Sequence, residues 1–162
     1  MGRKLVIKNA NFSTNGIHLG TPVWNWNFTD NQLKGDASFT SGDTFYMLAS
    51  EITAYNLSGY RIEAIKLWCA TSGTITISTV NTTGNGSVVN TTSYNVTAGK
   101  NIITLTNPIT LSSNVSIGLS GNGILRSWAQ AAADRCGWQI GKVRSSTVYT
   151  RYMAVDFAYY QY

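Results

Sequence analysis

Charged side chains are scarce in this sequence, since Asp, Glu, Lys and Arg together make up only 12% of its 162 residues. That share is about half of what a typical soluble domain carries. The low charge is combined with 43% hydrophobic residues, and this balance excludes an intrinsically disordered chain. Thr, Ser and Asn stand where charges would be expected. The composition therefore favours β-strands with polar outer faces.

Long apolar runs are missing as well. At the start of the chain only Leu5-Val6-Ile7 separates Lys4 from Lys8, which is too short for the apolar core of a signal peptide. No run approaches the ~20 apolar residues of a membrane-spanning helix. We therefore expect a protein that is made in a cytoplasm and has no membrane partner.

Residues for catalysis and metal binding are few. His18 is the single histidine, and no Gly-x-Ser-x-Gly nucleophile motif accompanies it. The seven carboxylates show no spacing that indicates a glycosidase pair, although Glu63 and Asp156 could meet across a sheet. One histidine and two distant cysteines, Cys69 and Cys136, do not make a zinc site. We expect a protein that is not an enzyme, has no cofactor or metal, and keeps both thiols free and mostly buried, since a cytosol is reducing.

Apolar and polar side chains alternate with period two along most of the chain, which predicts β-strands. The predicted strands are 4–8, 24–28, 44–49, 62–69, 74–80, 88–96, 102–106, 115–120 and 153–159. Asn85-Gly86 and Asn122-Gly123 predict hairpin turns, and Gly99 and Pro108 predict strand breaks. Strands with no helices between them imply antiparallel pairing. The sequence predicts one all-β domain over residues 1–162, an antiparallel β-sandwich of jelly-roll type.

One stretch departs from the alternation. Ser127–Arg135 is rich in alanine and is followed by Gly137, which predicts one short helix near 127–136. The wider stretch 126–152 carries five basic residues against one acidic residue, and so +4 of the chain's net +5. Long excursions on a rigid β-scaffold often carry binding sites. We expect this stretch to project from one end of the sandwich and to contact a neighbouring subunit or an acidic partner.

The predicted partner-binding residues are the four arginines of this stretch and two residues of a possible N-terminal arm, 1–17. They are Arg126, Arg135, Arg144, Arg151, Lys4 and Phe12. The basic residues are too sparse for a typical nucleic-acid site, so we expect no nucleic-acid partner. The alternative is that these arginines are scattered over a solvated surface.

An aromatic ladder precedes the middle of the chain. Trp24, Trp26 and Phe28 follow each other at period two, which would place their rings on one strand face. Such a face could stack sugar rings and bind a glycan. The interpretation that we favour is the inward face of a sandwich, where aromatic side chains contribute the largest burial.

Residues 4–17 resemble the opening of virion proteins from tailed bacteriophages and prophages of Bacteroidales. The shared pattern is a short aliphatic strand, Lys8, Ala10, then Asn11-Phe12-Ser13, and later Ile17, with Asn11 where the family has Asp. The stretches Gly99-Lys100-Asn101-Ile102 and Val115-Ser116-Ile117-Gly118 are also similar to later strands of jelly-roll carbohydrate-binding and fibre-head domains.

The resemblance implies a non-catalytic structural component of a phage virion. Its expected role is that of an auxiliary, capsid-decorating protein or a head-fibre subunit of a crAss-like phage, located in the virion after synthesis in the bacterial cytoplasm. Its expected partners are capsid or other virion proteins and further copies of itself. The alternative is a carbohydrate-binding jelly-roll module, which the aromatic ladder and the jelly-roll-like strands favour. A similar opening in some bacterial cell-surface-associated enzymes also fits a glycan-binding role.

Overall fold

A computed structural model of the chain describes residues 23–40, 42–83, 86–128, 141–143, 148–149, 152–153 and 155–161. The strands are β1 (Val23–Trp24), β2 (Ala37–Ser38), β3 (Phe45–Met47), β4 (Tyr60–Cys69), β5 (Gly73–Asn81), β6 (Val88–Val96), β7 (Gly99–Thr110), β8 (Val115–Ser120), β9 (Arg126–Trp128), β10 (Gly141–Val143), β11 (Val148–Tyr149), β12 (Tyr152–Met153) and β13 (Val155–Gln161). The helices are α1 (Asp30–Lys34) and α2 (Ala49–Ala54). No helix among these residues is long and apolar enough to cross a membrane.

These strands form three antiparallel sheets. One has four strands in the order β1-β13-β4-β7, and another has six in the order β11-β10-β3-β8-β5-β6. A small third sheet has the order β12-β9-β2. The two larger sheets enclose a common apolar core. This arrangement confirms the predicted all-β, antiparallel sandwich.

The core follows from the period-two alternation of the long strands. Ile65 and Leu67 of β4 are buried, as is Phe157 of β13, and all three come from the four-stranded sheet. Ile77 of β5 and Leu119 of β8 belong to the six-stranded sheet and to the same apolar cluster. The bounds predicted for β4, β5, β6 and β8 agree with the structure to within two residues at either end.

Both helices are absent from the sequence-based prediction. The short helix α1 begins with a capping box, in which the Gln32 backbone N–H donates to the Thr29 hydroxyl and the Gln32 side chain accepts from the Thr29 N–H. This Thr-x-x-Gln spacing is readable in the sequence. Helix α2 follows β3 directly, so the predicted strand 44–49 ends at Met47.

Several local predictions are wrong. The strand predicted for 24–28 ends at Trp24, and Asn27 adopts a positive φ of 52° that no strand tolerates. The helix predicted near 127–136 is wrong at its start, since Ser127 and Trp128 belong to β9. Residues 129–136 lie outside the described residues, as do the predicted strand 4–8 and the arm 1–17.

The predicted hairpin turns and strand breaks are confirmed only in part. The β5–β6 hairpin is confirmed, and Gly86 in its turn has a φ of 68°, while Asn85 lies outside the described residues. The turn at Gly123 joins β8 to β9, which belong to different sheets, so it is not a hairpin turn. Gly99 is the first residue of β7 and follows the two residues that separate it from β6, in agreement with the predicted break. Pro108 lies within β7, at a place where the ladder to β4 is irregular between Thr104 and Ile109. Pro108 is tolerated there since β7 is an edge strand.

Gly86 generates a stability prediction. A Cβ at this position would overlap the Tyr46 ring, whereas a Cβ at Gly99 would meet open space, although both glycines have positive φ. We expect Gly99→Ala to lower the free energy of unfolding by about 1–2 kcal/mol through backbone strain alone. Gly86→Ala should cost about 1–3 kcal/mol more, because the ring has to move.

Urea denaturation of the two variants measures this difference. Equal losses in both would mean that the Tyr46 ring does not restrict the turn.

Cys69 generates a pH prediction. It is a buried free thiol, and burial raises its pKa from an ordinary 9.0 to about 11; Cys136 lies outside the described residues. Because only the unfolded thiol ionises near pH 9, the stability contribution is complete below that pH and is lost as the pH rises towards 11. The slope should approach about 1.4 kcal/mol per pH unit.

The measurement is denaturant unfolding at several pH values between 8 and about 11.5, covering the interval over which the two states differ in bound protons. Cys69→Ala is the control, and its stability should fall less steeply over that interval. Parallel curves for the two proteins would contradict the prediction.

Candidate functional site

The carboxylate of Asp156 holds the segment that carries the predicted aromatic ladder. Asp156 lies on β13 and is fully buried. Its Oδ1 accepts hydrogen bonds from the backbone N–H of Trp26 at 3.0 Å and of Phe157 at 2.9 Å. Its Oδ2 accepts from the Phe28 N–H at 3.0 Å. A turn that leaves β1 thus satisfies its backbone donors on one buried side chain.

Lys66 is the cationic partner of Asp156 in a buried ion pair. Its Nζ lies 3.5 Å from Asp156 Oδ2, and its side chain is only 9% exposed. The same Nζ lies 4.7 Å from the centroid of the Trp24 ring. A buried ammonium group is thereby stabilised by a carboxylate on one strand and by an aromatic face on another.

The three aromatic residues of the predicted ladder do not share one strand face. Trp26 stacks on Phe28 with ring centroids 5.5 Å apart, and it meets Tyr55 and Phe157 edge-on at 6.0 and 4.9 Å. Phe28 is only 9% exposed, and Trp24 is half-buried over Lys66. The rings that the sequence proposed for sugar stacking are therefore engaged with the protein itself.

Phe28 and Leu33 form a second, smaller apolar cluster that is covered by half-buried tryptophans. Trp128 packs on this cluster, and its Nε1 donates to the backbone oxygen of Gln32 at 2.9 Å. Trp68 also contributes. The cluster fastens α1 to the sheets.

Arg126 serves the end of α1. Its guanidinium donates to the backbone oxygens of Lys34 at 3.1 Å and Gly35 at 3.3 Å, and to the hydroxyl of Ser38 at 3.2 Å. These bonds satisfy carbonyls that a helix C-terminus leaves open. A Cβ at Gly35 would lie 2.6 Å from the Ser127 oxygen, so helix and strand meet closely here.

The other predicted partner-binding residues lie outside the described residues. They are Arg135, Arg144, Arg151, Lys4 and Phe12. The expectation that 126–152 projects from the sandwich is wrong for its described strands. Strand β10 pairs with β3 in the six-stranded sheet, and β12 pairs with β9. The described parts of this stretch extend the sheets.

Glu63 and Asp156, the carboxylates that could have met across a sheet, have different cationic partners. Both are buried, but Glu63 pairs with Arg61 at 2.8 Å while Asp156 pairs with Lys66. No group of three His, Cys, Asp or Glu side chains among the described residues could hold a metal ion.

On one side of the sandwich, two strand edges are left open among the described residues, and the sequence-based prediction did not identify them. Strand β6 is the outermost strand of the six-stranded sheet, and β7 is the outermost strand of the four-stranded sheet. Only Thr97 and Ala98 separate them along the chain, so the two edges lie on the same side of the molecule. Backbone donors and acceptors on an unpaired edge can bind a further strand.

The edge of β7 is partly blocked. The Thr106 N–H donates to the Tyr94 hydroxyl at 3.0 Å, and Pro108 has no N–H to offer. Lys100 of β7 adds a charge and pairs with Asp30 at 2.8 Å. Charges and prolines are the usual means of protecting a sheet edge.

The edge of β6 carries neither a charge nor a proline, although its ladder to β5 is irregular between Val88 and Asn90. Its nine residues, Val88–Val96, include no charge and no proline, and Val89 is 61% exposed. On its inner side β6 is held to β5 by the backbone ladder and by side-chain hydrogen bonds from Thr74 to Asn95 and between Ser78 and Thr91, both 3.1 Å. Within the described part of the chain, no strand covers its outer side. We call this unpaired outer side of 88–96 the β6 edge.

Searches with protein-family models, among curated proteins and among solved structures gave no match to this chain. The β6 edge and the Asp156–Lys66 pair are therefore interpreted from their own geometry.

The Asp156–Lys66 pair generates a stability prediction. Asp156→Ala leaves three backbone N–H groups and a buried ammonium without their acceptor, so we expect a loss of about 3–5 kcal/mol in the free energy of unfolding. Lys66→Met should cost less, because the carboxylate keeps its three N–H donors. The double variant should cost less than the sum of the two single variants.

Urea denaturation followed by tryptophan fluorescence measures all three. Lys100→Met is the matched control, since its ion pair is exposed and should contribute less than about 1 kcal/mol. Equal effects of Lys66→Met and Lys100→Met would show that the buried pair has no special role.

Proposed function

We propose that this protein is a non-catalytic assembly subunit that acts by protein–protein docking. The observation that carries the proposal is the β6 edge, whose nine residues include no charge or proline and whose outer side pairs with no other strand that the structure describes. Such an edge is a hazard in a protein that has to stay alone, because it pairs readily with other strands. In an assembly subunit the same edge is a binding site that uses the main chain for affinity.

The rigidity of the edge supports this role. The β5–β6 register is regular from Gly73↔Val96 to Thr79↔Asn90, and the irregularity comes only after Thr79. The side-chain hydrogen bonds from β5 fasten β6 on its inner side. A pre-formed strand loses little conformational entropy when a partner adds to it.

The proposed assembly is a phage particle, in which the protein would decorate the capsid or form part of a head fibre. This finer proposal is supported by the resemblance of residues 4–17 to virion proteins. The aromatic geometry does not favour the carbohydrate-binding alternative, because Phe28 is buried and the Trp26 ring is in contact with three other rings.

The test of the virion proposal is quantitative mass spectrometry of particles purified from a host that produces this protein. We expect the protein in the particles at a stoichiometry comparable to that of a capsid or fibre component. A tagged copy carrying Val89→Lys and Ser93→Lys should enter the particles less than the tagged wild type, because lysines oppose strand addition at an edge.

The matched control carries Thr104→Lys and Thr106→Lys on β7, which add the same charge to exposed positions of the neighbouring edge strand. This control should enter the particles as the wild type does. Absence of the wild-type protein from purified particles would refute the virion proposal.

A further inference from the structure

The β6 edge raises the question of which strand pairs with it. We propose that its partner is β6 of a second copy of this chain, which adds antiparallel about a two-fold axis through Thr92. This inference rests on the proposed docking function and names the first partner of the docking edge. It joins the two six-stranded sheets into one continuous sheet across the dimer.

The sequence of β6 fits such an axis. With Thr92 opposite its own copy, Thr91 lies opposite Ser93 and Asn90 lies opposite Tyr94, so that uncharged side chains meet throughout the regular part of the strand. A two-fold contact of this kind requires a surface that complements itself. Facing hydroxyl and β-branched side chains are favourable neighbours across antiparallel strands.

The charge distribution favours a second copy over a charged partner. The chain has a net charge of +5, so two copies repel each other at long range. However, β5 and β6 include no charged residue, and this repulsion is therefore not concentrated where the edges meet. An acidic partner would find no base on this edge, whereas an identical uncharged strand finds matching backbone groups.

The neighbouring edge explains why the contact is restricted to β6. Adding a strand along β7 would require the Thr106 N–H to leave the Tyr94 hydroxyl, and Pro108 would leave a gap in the ladder. The dimer therefore uses one strand from each copy. A contact made by a single strand from each copy buries little surface and belongs to the class of small, weak interfaces. We therefore expect a reversible dimer whose population depends on concentration.

Paired charge variants test the proposal. Val89 and Ser93 are exposed positions four residues apart. In the proposed register Ser93 lies diagonally from Ser93 of the second copy, and Val89 also lies diagonally from that residue, each about 7–8 Å away. The first variant carries Val89→Lys and Ser93→Lys, and the second carries Val89→Glu and Ser93→Glu. Sedimentation equilibrium from about 1 μM to about 1 mM then gives the dissociation constant of each protein and of their mixture.

We expect the wild type to dimerise within this range and each variant alone to dimerise at least about tenfold more weakly, because like charges face each other. An equimolar mixture of the lysine and glutamate variants should regain dimers, since opposite charges then meet across the axis. The control with Thr104→Lys and Thr106→Lys should dimerise like the wild type. Thermal unfolding of each protein checks that the charges leave the fold intact.

A wild type that stays monomeric at the highest concentration would overturn the self-pairing. So would a lysine–glutamate mixture that gains nothing over the single variants, or a β7 control that loses as much affinity as the β6 variants. These outcomes are separate from a failure of the docking function. A monomer that is nevertheless found in purified particles, and whose incorporation depends on Val89 and Ser93, would dock through the β6 edge onto another protein.

Discussion

A single buried carboxylate organises one side of this sandwich. Asp156 accepts three backbone hydrogen bonds and forms an ion pair with the buried Lys66. Two of the hydrogen bonds come from donors that precede it by 128 and 130 residues in the chain. The turn after β1, the ring of Trp26 and the start of α1 take their positions from it. An apolar residue at this place would leave the turn's donors unsatisfied in a water-free environment, where each costs about 1–3 kcal/mol. The Asp156–Lys66 pair is therefore required for the turn after β1 to pack against the four-stranded sheet.

The two larger sheets differ in how far other residues cover or protect their outermost strands. On the four-stranded sheet, α1 packs against β4 and β7, and the tryptophans and the bonds of Arg126 hold it there. At β6 and β7 the sheets end, and only β7 is partly protected. Strand β6 is held on its inner side by the ladder to β5 and by two side-chain hydrogen bonds, while no other described strand pairs with its outer side. A held strand with one open side distinguishes this surface within the described part of the chain.

How much the sequence predicts depends on the range of the interactions that decide each element. The strands β4, β5, β6 and β8 follow from local alternation, and their bounds could be predicted closely. The end of β1 could not be predicted in this way, because it depends on a residue far along the chain. The backbone turns at Asn27, and the next N–H, that of Phe28, donates to the carboxylate of Asp156. For the same reason, the alternation wrongly predicts that the aromatic rings of 24–28 share one strand face. The capping box of α1 was a readable signal that was missed, whereas the open edge of β6 depends on strand order, which alternation does not encode.

The position of β13 has a consequence for how the chain is made. This strand lies between β1 and β4, yet it is formed by residues 155–161, far along the chain from both. During synthesis, β4 therefore has one long edge unpaired until residues 155–161 have left the ribosome. Contacts between such distant residues close large loops and slow the folding of β-proteins. A nascent chain of this protein thus exposes the edge of β4 for much of its synthesis, and only the addition of β13 covers it.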